Sequence, residues 1–179
     1  MFRISKNELG FTLIELVIVI GLIAILGLTI NALIGDSSST KAYGTLHKIQ
    51  ADIIFAQESA MSQRVHYRIT FVPATNSYTI KQCNTQTSPC PGWNNINDPS
   101  TNTSPFTVSL NSGNYSGVTF SATNFSGNYL EFNSAGVPLD GNVTCGIAPC
   151  PFSAVESVII NPGSITVSVA PGTGTTSIP

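Results

Sequence analysis

Hydrophobic positions are spaced in three successive ways along the chain. From Phe11 to Ile34 a predominantly apolar stretch of 24 residues runs almost without interruption, and Leu16 to Leu28 contains no polar side chain. A helix of that length spans roughly 36 Å, enough to cross a bilayer core. After Gly35-Asp36-Ser37-Ser38-Ser39, apolar residues return at intervals of three and four: Tyr43, Leu46, Ile49, Ile53, Ala56 and Ala60. That spacing predicts an amphipathic second half of the helix over residues 35–64, with Lys41, Lys48, Gln50, Asp52 and Gln57 on the opposite side. Gly35 and the serines fit either a kink or the N-cap of a restarted helix.

Beyond Gln63 the period falls to two. Val65, Tyr67, Ile69 and Phe71 alternate with His66, Arg68 and Thr70, the pattern of a half-buried strand. Pro73 to Ser77 reads as a turn and Tyr78 to Gln82 as the returning strand of a hairpin. Cys83 to Pro105 reads as a long Asn-, Thr-, Ser- and Pro-rich loop. Short strands are predicted at Phe106–Leu110, Val118–Ala122 and Tyr129–Asn133. Two stronger ones, Val155–Ile160 and Ile165–Val169, are joined by the turn Asn161-Pro162-Gly163-Ser164. Residues 65–170 therefore form a β-rich head, and residues 171–179, which lack an apolar pattern, are expected to be a flexible tail. The fold class is α+β: a long N-terminal α-helix, transmembrane in its first half, packed on an antiparallel β-sheet head.

Charge orients this arrangement. Only 9% of the 179 residues are charged and the net charge is −2. All seven Lys and Arg residues lie at or before Lys81, and from Gln82 onwards the only charged side chains are Asp98, Glu131, Asp140 and Glu156. The chain from Gln82 onwards is therefore weakly acidic, with nothing to neutralise phosphates, so no nucleic-acid partner is expected. Arg3 and Lys6 precede the apolar run, and the next cation is Lys41. The positive-inside bias then places the N-terminus in the cytoplasm and everything after about Gly35 outside, with inner-membrane lipid around residues 11–34. No small-residue cleavage pattern follows the run, as a secretory signal peptide would require.

Cys83 and Cys90, and Cys145 and Cys150, form two local pairs with six and four intervening residues. Four cysteines allow three connectivities, of which the two local bridges are the easiest to close. Zinc thiolates are usually set closer, and His47 and His66 lie outside these segments, so disulfides are expected and the head belongs in an oxidising compartment.

Glu15 does not fit a plain anchor. A carboxylate in an apolar helix costs about 2.5–3.5 kcal/mol or more at the bilayer centre, and persists where a partner compensates it. A cut between Gly10 and Phe11 would create an α-amino group at Phe11 that a neighbouring copy's Glu15 could neutralise. Gly10-Phe11-Thr12-Leu13-Ile14-Glu15, followed by the long apolar run, closely resembles the class III signal of type IV pilins and type II secretion pseudopilins. The resemblance implies that residues 1–10 are a leader removed by a prepilin peptidase, that Phe11 is then N-methylated, and that Glu15 guides docking among other pilin or pseudopilin subunits.

The head carries shorter likenesses to H-type minor pseudopilins and related minor pilins of the GspH/FimT type. They are Phe55-Ala56-Gln57-Glu58-Ser59-Ala60, Leu130-Glu131-Phe132-Asn133-Ser134-Ala135-Gly136, and Ile165-Thr166-Val167 followed by Gly172-Thr173-Gly174. DNA-binding members place basic residues beside that Thr-Gly ending, whereas this chain has Thr175, Thr176 and Ser177. The function so implied is structural: a minor pilin or type II secretion pseudopilin, in the inner membrane and then in a pilus or pseudopilus. An adhesive, ligand-binding head on a surface pilus is the alternative. No catalytic, cofactor or metal residues are assigned. No nucleophile elbow is present, and Pro171 to Thr176 lacks the Lys of a phosphate loop. The four head carboxylates show no calcium-loop spacing, although the Asn- and Asp-rich loops leave a calcium site open. His47 and His66 read as surface residues and Trp93 as a loop anchor.

Overall fold

The computed structural model describes residues 12–33, 37–87, 89–141 and 150–179. The chain divides into two compact units, residues 1–37 and 38–179. In the first, helix α1 spans Leu13–Leu33. Thr12 caps its N-terminus: its hydroxyl and carbonyl oxygens accept from the Glu15 N–H at 3.3 and 3.1 Å. Side chains of α1 are described as far as Leu26, and from Thr12 to Leu26 every one is exposed. Among the described residues no helix is long and apolar enough to cross a membrane. Gly35, where the sequence allows a kink, lies outside the described residues.

The second unit, from Ser38, holds all of α2, Ser37–Gln63, but its first residue. Its period of three to four has a direct structural outcome: Ala42, Leu46, Ile49, Ile53, Ala56 and Ala60 are all buried. Burying each Leu or Ile contributes about 1.5–3 kcal/mol, so this stripe fixes which face of α2 meets the sheets. Two positions depart from expectation. Tyr43 is 49% exposed, lying at the margin of the stripe, and Asp52, assigned to the solvent side, is buried. Asp52 is compensated there by the Lys48 ammonium at 2.6 Å and the Tyr78 hydroxyl, which both donate to its carboxylate.

Eleven strands follow in the described residues: β1 Tyr67–Val72, β2 Ser77–Cys83, β3 Trp93–Asn95, β4 Thr107–Ser109, β5 Thr119–Thr123, β6 Tyr129–Phe132, β7 Pro138–Asp140, β8 Cys150–Pro151, β9 Glu156–Asn161, β10 Ile165–Val169 and β11 Thr176–Ser177. A larger sheet has the order β3-β2-β1-β6-β7-β8, with β4 also paired to β2; a smaller one has the order β11-β10-β9-β5. All strand pairs are antiparallel. In β1 the alternation of Tyr67, Ile69 and Phe71 with Arg68, Thr70 and Val72 is an alternation of buried and half-buried positions. The β1–β2 turn needs a left-handed residue, supplied by Asn76 at φ 48°. The Asn76 carboxamide oxygen accepts from the Phe120 N–H at 3.0 Å, joining the tip of this hairpin to β5 of the other sheet.

Aromatic rings continue that junction. Phe71 stacks on Phe125 with centroids 5.5 Å apart and meets Phe120 edge-on at 5.9 Å; Phe125 reaches Phe152 at 5.8 Å. Such pairs contribute about 0.5–1.5 kcal/mol each beyond their area, and they make the two sheets share one core. The expected loop at 83–105 contains β3, which pairs with the end of β2.

The expected flexible tail is instead an ordered segment. Thr176 and Ser177 pair with Val169 and Ser168 as β11, and Ile178 packs against the core. The cause is non-local: Gln50 on α2 donates to the Thr176 hydroxyl at 3.2 Å, a bond that no local apolar pattern announces.

Candidate functional site

Of the residues singled out at the N-terminus, Gly10 and Phe11 lie outside the described residues. Glu15 occupies the first turn of α1, three positions after its capping Thr12. Thr-x-x-Glu is the spelling of a capping box, in which the Ser/Thr oxygen accepts from the third N–H and the acid reaches back. The first of these bonds is present. The Glu15 carboxylate is exposed and makes no hydrogen bond or ion pair among the described residues. It therefore stands in the first turn, at the positive end of the helix dipole, where an acidic side chain is favoured.

In the head, the three segments with likenesses to minor pilins converge on one side chain. The Gln57 amide nitrogen donates to the Gly136 carbonyl at 2.8 Å and to the Thr173 carbonyl at 2.7 Å. The approach is close. A Cβ on Gly136, at φ +77°, would lie 2.7 Å from the Met61 sulfur, and one on Gly174, at φ +70°, would lie 2.6 Å from Gln57 Nε2 and 2.9 Å from the Phe132 ring. The Gln-Glu-Ser-Ala stretch, the Phe-x-x-x-Gly turn and the Thr-Gly ending are therefore one structural unit in which α2 closes on the β6–β7 turn and the last segment of the chain. Sequence position alone placed Gln57 on the solvent side.

Behind it lies a buried charge cluster. Glu131, fully buried, accepts from Arg68 Nη2 at 2.7 Å and Nε at 3.1 Å through one oxygen, and its other oxygen meets His66 Nδ1 at 2.7 Å. The Arg68 guanidinium lies between the Trp93 and Tyr129 rings, 4.2 and 4.0 Å from their centroids. His66, read from sequence as a surface residue, is buried because register pairs Arg68 with Glu131 across β1 and β6. Parity along β1 already put His66 and Arg68 on one side; the identity of the strand beside them had no local signal. Trp93 anchors its segment by covering Arg68. Both Glu131 carboxylate oxygens are thereby hydrogen-bonded. Elsewhere burial pushes the Asp52 carboxyl above its ordinary range, against the opposing effects of Lys48 and Tyr78, and pushes the Tyr78 phenol well up, with the Asp52 charge adding to it.

An open cavity of about 360 Å³ lies beside Lys48, Asp98, Thr103, Thr107, Ser109 and Tyr115. Burial opposes ionisation of Asp98, but hydrogen bonds from the Ser100 hydroxyl at 2.6 Å and N–H at 2.7 Å hold its carboxyl below the usual range. Cys83 and Cys90 are joined by a disulfide with Cα atoms 5.8 Å apart, which pins the segment leading to β3. Cys150 is also disulfide-bonded, and Cys145 lies outside the described residues. Among the described residues no group of three or more His, Cys, Asp or Glu side chains is placed to hold a metal ion.

Residues 5–30 match the model of the prokaryotic N-terminal methylation motif. Two solved structures of the minor pseudopilin EpsH from the type 2 secretion system of Vibrio cholerae are similar in fold. One is 14% identical, with a TM-score of 0.52 over 77% of this chain and 94% of that one. The other is 16% identical, with a TM-score of 0.52 over 78% of this chain and 93% of that one. No curated protein matches the chain. The chain thus carries an N-terminal methylation motif followed by a head whose fold is similar to that of the minor pseudopilin EpsH.

Proposed function

We propose that this protein is a structural subunit of a type IV pilus-like filament, of the minor-pseudopilin kind that serves type II secretion. In this reading a prepilin peptidase cuts after Gly10, Phe11 becomes N-methylated, and the apolar stretch of residues 11–34, which reaches beyond the described residues, crosses the inner membrane once with its N-terminus in the cytoplasm and the head in the periplasm. The subunit then passes into a pseudopilus by packing the apolar faces of α1 against those of other subunits. Glu15 neutralises a neighbour's Phe11 amine and sets the register. The carrying observation is the methylation motif over residues 5–30 running into a helix whose described apolar side chains are all exposed. The fold likeness to EpsH supports the minor-pseudopilin form over a major pilin. The burial of Glu131 with both oxygens held by His66 and Arg68 supports a structural head.

The intact mass and N-terminal sequence of the protein from its native membrane test the processing, with N-methylated Phe11 as the expected first residue. A Met1 start in cells with active peptidase overturns it. Glu15→Gln separates the two roles of Glu15. Gln is accepted at the third position of a capping box, so the helix start is kept. Charge pairing is lost, and recovery of the subunit in cross-linked filaments is expected to fall at least about tenfold, the equivalent of 1.4 kcal/mol. Unchanged recovery would leave Glu15 only a capping role.

A further inference from the structure

In β4, Thr107 and Ser109 are exposed and Val108 is buried. The strand pairs with β2 in the register Thr107 with Thr79, Val108 with Tyr78 and Ser109 with Ser77. Just outside it the Ile80 N–H donates to the Phe106 carbonyl at 3.0 Å, and the Leu110 N–H to the Asn76 carbonyl at 2.7 Å. Antiparallel ladders alternate along the chain, so Val108 between these bonds turns its main-chain groups towards β2, and Thr107 and Ser109 turn theirs away. No strand pairs with β4 on that outer side among the described residues. The Thr107 N–H and C=O and the Ser109 N–H have no partner there, and the Ser109 carbonyl accepts from the Ser112 hydroxyl at 3.1 Å.

This free edge forms one side of the open cavity of about 360 Å³. Asp98 and Thr103, from the loop before β4, and Tyr115, from the turn after it, line the same space. Its volume lies in the range of binding clefts, about 300–1,000 Å³. The walls are held in place: the Asp98 N–H donates to the Thr103 carbonyl at 2.9 Å, and Tyr115 packs against the core. β4 itself carries neither charge nor proline, two of the devices that make an edge unwelcoming to a further strand.

Charge narrows the choice of occupant. Lys48 is the cavity's cation among the described residues, and it is already committed: its ammonium donates to Asp52 at 2.6 Å and lies over the Phe106 ring, 5.2 Å from the centroid. Asp98 takes part in no ion pair among the described residues, and no cation follows Lys81 in the chain. The cavity therefore offers an unmatched carboxylate beside unmatched main-chain donors and acceptors.

We propose that this cavity receives an extended polypeptide segment carrying a lysine or arginine, which adds to the outer edge of β4 as a further strand. The main chain of the segment pairs with Thr107 and Ser109, and its basic side chain meets Asp98. In strand addition the main-chain bonds supply affinity and the alternate side chains supply specificity. Few such bonds fit on so short a strand, so binding is of the transient kind, with a Kd of about 10–100 µM. The inference does not depend on the filament reading.

The test is fluorescence anisotropy of a labelled heptapeptide of alternating threonine and valine with lysine at its centre. It is titrated with the full chain in nonionic detergent, with detergent alone as the blank. Saturable binding is expected, weakened at least about tenfold when glutamate replaces the lysine or when every peptide nitrogen is methylated. Thr107→Pro deletes an outward N–H without breaking a bond to β2 and should also weaken binding at least about tenfold. Thr107→Ala should bind as the parent does, because the main chain is what is recognised. Asp98→Asn keeps an oxygen for Ser100 to donate to, and should bring the lysine and glutamate probes within about threefold of each other. No saturable binding of the lysine probe up to about 1 mM overturns the proposal. Equal binding of the methylated probe also overturns it, and tests the same edge on the parent protein should Thr107→Pro fail to fold. A glutamate probe that binds as well as the lysine probe, or binding of maltohexaose in place of the peptide, overturns it too.

Discussion

The Gln57 side chain uses both amide hydrogens on carbonyls from distant parts of the chain, 79 and 116 residues away. A side chain on either neighbouring glycine would force Met61 or Gln57 and Phe132 to shift. Gly174 and Gly172 separate contact from backbone strain, since both have positive φ but only Gly174 would place a Cβ against Gln57 and Phe132. Gly172→Ala should therefore cost only the left-handed penalty of about 1–2 kcal/mol. Gly174→Ala should add a steric term and cost about 1–3 kcal/mol more, read as a lower urea midpoint for the full chain in detergent. Equal costs would mean that Gln57 and Phe132 yield freely.

At the scale of elements, β11 is the least expected piece. Two residues of Thr and Ser carry no periodic signal, and their partners lie on α2 and β10. Deleting residues 176–179 removes the β11 pairing, the Gln50 bond and the Ile178 contact together. The expected loss is about 2–4 kcal/mol, again as a fall in urea midpoint with the slope nearly unchanged. A truncated chain of parental stability would show that the segment is ordered but contributes nothing. The contrast with other elements shows what sequence can express. The α2 stripe and the β1–β2 and β9–β10 hairpins are legible because their burial repeats with the period of the element and their turns need Asn, Pro or Gly. The sites where His66 meets Glu131 and where Asp52 turns inward are set by strand order and register. Sequence states neither until the strands are paired. At the N-terminus the reverse holds: Thr12, Glu15 and the apolar run are contiguous, so their pattern is legible along the chain itself and needs no strand pairing.

Over the whole molecule, charge is distributed as unevenly as hydrophobicity. No cation follows Lys81, and Lys48 and Arg68 are engaged by Asp52 and Glu131. A mobility-shift assay with double-stranded DNA in about 50 mM salt should show no retardation by the full chain, because binding there rises with the number of phosphates neutralised. Retardation that weakens steeply with salt would overturn this expectation and point to the cations at or before Lys81.

The long reach of the Gln50 and Gln57 bonds has a consequence in time. Their acceptors at Thr176 and Thr173 follow them by 126 and 116 residues. A ribosome adding about 5–20 residues per second reaches those acceptors roughly 6–25 s after it has made the donors. For that interval only water accepts from those amides. The head can therefore close on α2 only after its last strand has been made, seconds after the helix itself.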